Sequence, residues 1–301
     1  MNKFFTASLL FVSLGALAQD DLMKELEKNQ KPETNYVEQT FKGTRIVNGQ
    51  SVETKGKGEL EFIFAHRFDM INTGSYHVWG IDGYPAVRLG LEYGISDRLG
   101  IGIGRNFYYN NKLADLYARY KVARQSTGEK NFPVTITVIG TITYQPYPNA
   151  ADAAANVILL PASTTDRIGY VLEVPIARKF SSKLSLQITP VIVHRNAVDK
   201  TTENNDDYAI AFAGRYKITK SVSLIGEYYD RLNANSNSLY YNSAGFGFDI
   251  ETGGHVFQMI FTNGFGLNPQ SVVTQTVGNI SKGDVLFGFN ITRTFQLTKR
   301  K

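Results

Sequence analysis

The chain has no cysteine among its 301 residues. That excludes disulfides, thiol nucleophiles, Cys-ligated zinc, iron–sulfur clusters and the acylated cysteine of a lipoprotein. Long apolar runs are scarce. After residue 18 the best is Ala153–Ala162, which contains Pro161 and falls short of the ~20 residues a membrane helix needs. A mean hydropathy of −0.20 is likewise too polar for a helical membrane bundle. An excess of one charge is missing as well. The 32 basic and 27 acidic residues give +5, spread without a dense basic block, so no nucleic acid is expected as a partner. What is present is a 43% hydrophobic content, enough to fold, with 27 glycines, 19 phenylalanines and 17 tyrosines.

Residues 1–18, MNKFFTASLLFVSLGALA, read as a signal peptide. Lys3 is the positive n-region, Phe4–Leu14 the apolar h-region, and Ala16-Leu17-Ala18 the small-x-small cleavage pattern. Cleavage after Ala18 lowers the net charge from +5 to +4, because Lys3 leaves with the segment. Residues 20–30 are charged, with Leu22, Met23 and Leu26 at helical spacing, and read as a short helix or a frayed tail. Asn48-Gly49, between β-prone residues, is a two-residue hairpin signal.

From Glu59 onward the chain alternates apolar and polar residues, the mark of strands with two different faces. Twelve such runs occur: 59–68, 84–95, 98–107, 112–123, 132–145, 165–180, 183–195, 207–218, 221–231, 240–251, 254–264 and 284–296. In 84–95, Val87, Leu89, Leu91, Tyr93 and Ile95 oppose Arg88, Gly90 and Glu92. Most runs are long enough to cross a bilayer at a tilt. Their connections alternate between tight turns, such as Ser96-Asp97 and Ser181-Ser182, and mostly longer loops at 69–83, 146–164, 196–206, 232–239 and 265–283. Tight periplasmic turns and long outside loops are the pattern of an outer-membrane barrel.

Aromatics gather at the run ends, as expected at two water–lipid boundaries. The outer ends carry Phe68, Phe107, Tyr108, Tyr109, Tyr144, Tyr228, Tyr229, Tyr240, Tyr241 and Phe261; the periplasmic ends carry Phe132, Phe180, Tyr216 and Phe295. Hydrocarbon offers no hydrogen-bond partner, so strands cross it only as a closed ring with every backbone group paired. The expected fold class is therefore all-β, an antiparallel transmembrane β-barrel of about 12 strands. Residues 1–18 are the signal peptide, 19–57 an N-terminal periplasmic segment, and 58–301 the barrel.

Gly58–Phe68 (GELEFIFAHRF), Leu89–Arg105 (LGLEYGISDRLGIGIGR) and Val256–Pro269 (VFQMIFTNGFGLNP), with Thr40–Val52 (TFKGTRIVNGQSV), resemble an uncharacterised barrel family of the Bacteroidota, known only as domain of unknown function 5777. The resemblance spans nearly the whole exported chain. It implies an outer-membrane barrel and supplies no catalytic residue.

The motifs weighed for chemistry are weak. Gly100, Gly102 and Gly104 lack the G-x-G-x-x-G spacing, and no helix pattern follows. Alternate glycines on an inward face instead let a barrel curve and leave lumen space. His66, His77, His194 and His255 form no H-x-x-x-H pair, and there is no G-x-S-x-G. Asp230 with His194 at the outer rim is a poor protease pair. The sequons at Asn279 and Asn290 read as chance, and Lys299-Arg300-Lys301 as a solvated tail. No catalytic residue, metal ligand or cofactor is expected.

Eleven charges fall on the polar face: Glu61, Arg88, Glu92, Asp115, Arg119, Lys121, Glu173, Arg215, Lys217, Glu227 and Asp249. They describe either a charged lumen that selects solutes or a salt-bridged filling of a narrow barrel. Arg105 shares a face with Leu99, Ile101 and Ile103, where it meets lipopolysaccharide phosphates unless a bulge turns it inward. The first functional reading is a porin-like small-solute channel in the outer membrane of a Gram-negative bacterium. Its partners are then outer-membrane lipid, lipopolysaccharide and small solutes. The alternative is a non-conducting scaffold in an envelope complex, with the loops at 69–83, 146–164 and 265–283 as contact surface for other envelope proteins. An enzyme acting on lipid or peptide ranks third. Residues 19–57 have one further place to go, the lumen, in which case deleting them raises conductance.

Overall fold

A computed structural model of the chain describes residues 33–108, 112–146 and 163–298. The expected signal peptide, the charged stretch 20–30, most of the 146–164 loop, Tyr109 and the basic tail lie outside the described residues.

The strands are β1 (Thr34–Tyr36), β2 (Glu59–Met70), β3 (Ala86–Gly94), β4 (Leu99–Asn106), β5 (Ala114–Ala123), β6 (Ser126–Gly128), β7 (Thr135–Tyr144), β8 (Ile168–Glu173), β9 (Ile176–Lys179), β10 (Leu184–Arg195), β11 (Asp206–Lys217), β12 (Val222–Arg231), β13 (Ala244–Thr252), β14 (His255–Thr262) and β15 (Leu286–Gln296). Apart from the β1–β6 pair, they form one antiparallel sheet that closes on itself where β15 pairs with β2, Phe289 opposite His66. β8 and β9 act as one strand. Glu173 faces Ile139 and Val191, and Ile176 faces Ile136 and Ile188, so the register runs unchanged through Pro175, which has no N–H to give. The result is a closed twelve-stranded ring without a free edge.

The two ends differ. Connections at 95–98, 180–183, 218–221 and 253–254 are tight; those at 71–85, 196–205, 232–243 and 263–285 are long. We call these the turn end and the loop end. The outward face is apolar: Leu89, Leu91, Ile101, Ile103, Leu116, Ile142, Leu172, Leu186 and Phe212 are all exposed. The alternate positions are buried. Among the described residues, no helix is long and apolar enough to cross a membrane.

The interior is filled by two separate pieces of chain. From the turn end, residues 40–52 enter the ring, most of them buried. Phe41, Ile46, Val47 and Val52 pack on Ala177, Ile225 and Ile260 of the wall. The segment pairs with itself: the Ile46 N–H donates to the Gly49 carbonyl at 3.0 Å and the Ser51 N–H to that of Thr44 at 3.0 Å. The bridge Arg45–Gln50 centres its turn on Val47-Asn48, one residue before the expected Asn48-Gly49. Wall contacts decide this, because a Cβ on Gly49 would lie 2.0 Å from the Tyr229 hydroxyl. From the loop end, residues 263–278 fold inward and carry a short helix α1 (Pro269–Thr274), buried throughout. The Asn268 side chain caps α1 by accepting the Ser271 N–H at 3.0 Å, with Pro269 at the first helical position. Val272 and Val273 pack on Val171, Val191, Val193, Ala209, Ala211 and Tyr229.

Three expectations are corrected here. Residues 240–243 are not strand; β13 starts at Ala244. Much of the 265–283 loop is not an exposed contact surface, because it is buried inside the ring. Tyr229 is not part of the aromatic boundary. With a side-chain period of two, Tyr228 takes the outward position and Tyr229, 3% exposed, points inside.

Candidate functional site in the lumen

The inward face of the ring is where charge concentrates. Of the eleven expected positions, Glu61, Arg88, Glu92, Asp115, Arg119, Glu173, Arg215, Glu227 and Asp249 are buried, and Lys121 and Lys217 are half-buried near the turn end. A charge removed from water needs a partner. Some find theirs two strands away, across the strand between. Arg88 grips the Asp115 carboxylate through both Nη atoms. Arg119 Nε lies 3.2 Å from Glu92 Oε1, and the Tyr117 hydroxyl donates to Glu92 at 3.0 Å. Arg215 pairs with Glu251 at 2.8 Å and Asp249 at 3.5 Å.

The glycine ladder on β4 has a specific cause. A Cβ on Gly102 would lie 2.2 Å from the Tyr117 ring, and one on Gly104 2.1 Å from the Arg88 guanidinium. Two large side chains lie flat across the space those glycines leave.

Other wall groups are held by residues 40–55. Glu227 accepts the backbone N–H groups of Val47, Asn48 and Gly49 at 3.2, 2.7 and 3.0 Å. Glu173 accepts from the Gln50 amide at 3.1 Å. Glu61 accepts the Thr44 hydroxyl at 2.8 Å and pairs with Lys55 at 2.6 Å. Arg119 also donates to the Gln50 side chain and the Glu53 carbonyl. Lys121 faces Glu53 at 3.5 Å.

The charge list missed residues that matter equally. Arg67, fully buried, donates to Asn48 at 2.8 Å and to Asn290 at 2.9 Å. It shares a face with Glu61, six residues before it, so strand parity alone identifies it. Neutral amides hold the main chain of the segment. Gln187 accepts the Val52 N–H at 3.0 Å and donates to the Gln50 carbonyl at 2.8 Å. Gln258 donates to the Ile46 carbonyl at 2.8 Å, and Asn290 to that of Val47 at 3.0 Å. Asn290, read as a chance sequon, is buried in the lumen. Near the loop end, Arg195 and Arg231 share Glu203 and Asp207 in a four-membered cluster of ion pairs at 2.7–3.3 Å.

Space remains at both ends. A cavity of about 1010 Å³ opens at the turn end beside Thr40, Glu53, Lys121 and Arg124. Another of about 240 Å³ opens at the loop end beside Arg195, Glu203, Tyr240 and Gln270. Between them stand residues 41–52 and α1.

Outside the lumen, Arg105 is exposed on the outward face of β4, its guanidinium 5.8 Å from the Phe107 ring centroid. The register through β3, β4 and β5 has no bulge to turn it inward. His194 bonds Asp206 at 2.7 Å, while Asp230 bonds Asn242 at 3.0 Å, so His194 and Asp230 have different partners. Among the described residues, no group of His, Asp and Glu is arranged to hold a metal ion.

The fold is similar to that of KdgM porin, with a TM-score of 0.50 at 9% identity over 78% of this chain and 99% of that one. The same porin in complex with disordered oligogalacturonate gives 0.49 at 9% identity, again over 78% and 99%. A triple mutant of Rhodopseudomonas blastica porin gives 0.32 at 10% identity, over 70% of this chain and 55% of that one. At such identities a likeness speaks of fold alone. No curated protein matches this sequence. The family model "membrane bound beta barrel domain (DUF5777)" matches residues 41–295, a span that takes in the lumen segment as well as the ring, and the chain belongs to that family.

Proposed function

We propose that this protein is a porin-like channel for small solutes in the outer membrane, exported by residues 1–18 and held closed by its own residues 40–55 from the turn end and 263–278 from the loop end. One observation carries the reading: the ring leaves a bore that its own wall does not fill. Inward positions Ala177, Ala213 and Gly245 are small where residues 41–52 pack, and Ala65, Ala209 and Ala211 are small where residues 265–273 pack. A barrel needed only as a scaffold closes more simply by filling its lumen with wall side chains. Apart from Ala177, Ile225 and Ile260, the wall behind the segment is polar, and it holds the segment through hydrogen bonds that water can replace. Exposed Arg105 supports a contact with lipopolysaccharide phosphates in that setting.

The cysteine-free sequence makes the test clean. The Asn48 side chain donates to the Thr262 hydroxyl at 3.0 Å, joining the tip of the segment to the wall. The full chain carrying Asn48→Cys and Thr262→Cys is inserted in planar bilayers. Expected are currents under reducing conditions that vanish on oxidation. Silence in both states overturns the channel reading in favour of a non-conducting barrel.

A further inference from the structure

The occupant of the bore is itself a short peptide, and the wall treats it as one. Gln187 takes both a backbone N–H and a backbone carbonyl from it, two residues apart, as an amide clamp does to any peptide. Gln258 and Asn290 each donate to a carbonyl, and Glu227 gathers three consecutive N–H groups. All of these contacts are to the occupant's main chain, and among them only the one at Gly49 demands a particular residue, since a Cβ there would lie 2.0 Å from the Tyr229 hydroxyl.

Charge adds a second, independent selection. Residues 40–55 carry Lys42, Arg45 and Lys55 against the single acid Glu53. Lys42 pairs with Glu251 at 2.8 Å and Lys55 with Glu61 at 2.6 Å. Arg45, 6% exposed, lies within electrostatic reach of Asp115, Glu173 and Glu92. Its two terminal nitrogens have no hydrogen-bond partner among the described residues, and neither has Glu173 Oε1. A buried guanidinium and a buried carboxylate oxygen are thus left incompletely bonded at the heart of the lumen. A resident that fitted perfectly would satisfy both.

Resting on the channel reading above, we propose that the solutes of this lumen are short basic peptides, and that residues 40–55 are a tethered competitor for their site. The tether explains how a modest fit still closes the bore, since a segment joined to β2 acts at an effective concentration of about millimolar. A free basic peptide displaces it by giving Glu173 Oε1 on the wall the hydrogen bond that Arg45 does not.

The test uses the full chain carrying Lys42→Ala and Arg45→Ala, which weakens the resident segment and leaves the wall intact. Arg45→Ala alone serves if the double variant does not fold. The probes are a labelled nonapeptide of residues 42–50, KGTRIVNGQ, and its counterpart with Lys42→Glu and Arg45→Glu. Anisotropy in detergent measures binding, and bilayer recordings measure current. Expected is affinity about tenfold or more higher for the basic peptide, an advantage that Glu173→Gln in the wall reduces. Equal affinities overturn the peptide site. Selective binding without current leaves that site standing and overturns the channel. Neither binding nor current overturns both.

Discussion

Glu227 on β12 and Asn48 at the tip of the lumen segment are joined by a 2.7 Å hydrogen bond from the Asn48 N–H to the carboxylate, across 179 residues of chain. The same carboxylate takes the N–H groups on either side. Replacing it by Glu227→Ala strands three buried donors. A loss of about 3 kcal/mol is expected, since each unsatisfied group costs ~1–3 kcal/mol and one or more will recover water. Thermal unfolding in detergent measures it, and protease access to residues 40–55 should rise in parallel. A variant as stable and as protected as the parent would refute the anchoring role of Glu227.

Gly49 sits against Tyr229, with room for no side chain: an added Cβ falls 2.0 Å from the hydroxyl and 3.0 Å from the ring carbon that bears it. Gly49→Ala should destabilise by about 1–3 kcal/mol, the usual cost of overpacking. The nearest clash is with the oxygen, so Tyr229→Phe in the same chain should return part of the loss. A double-mutant cycle on melting temperatures reads this directly. Strict additivity would mean the two residues do not meet.

The wall glycines differ in what they leave room for. Gly102→Ala drives a methyl into the Tyr117 ring and should cost about 1–3 kcal/mol. Gly140→Ala on β7 meets nothing within 4 Å and faces outward, and should be neutral within about 0.5 kcal/mol. Refolding yield and melting temperature of the pair decide whether close packing, rather than sheet curvature, fixes the β4 ladder.

Ile103 is 60% exposed near the middle of β4 and directly opposite Leu116, itself 58% exposed. In water Ile103→Lys would be harmless. At the midplane of a bilayer it should cost about 2–4 kcal/mol, because the ammonium must leave water or drag it inward. Urea unfolding from phospholipid vesicles measures the difference. A change under about 0.5 kcal/mol would contradict a lipid-facing Ile103.

Strand number, strand direction and the inside-out assignment were readable along the chain, because hydrocarbon forces the outward positions in the middle of each strand to be apolar and the period of two does the rest. Leu89, Leu91 and Ile103 declare their face from their neighbours alone, and Glu61, Arg88 and Glu173 declare the opposite one. By the same parity Arg67 was readable too, and Tyr229 could not share the face of Tyr228. The occupied lumen was not readable in this way. Glu227 meets Val47, Asn48 and Gly49, Gln187 meets Gln50 and Val52, and Gln270 reaches Thr143 only once the ring has closed around them. Such contacts join segments 120 or more residues apart and follow no local period. Alternation along a strand is imposed by the solvent on each side of it, whereas the partner of a buried charge is set by which distant residue the closed barrel brings within three ångströms.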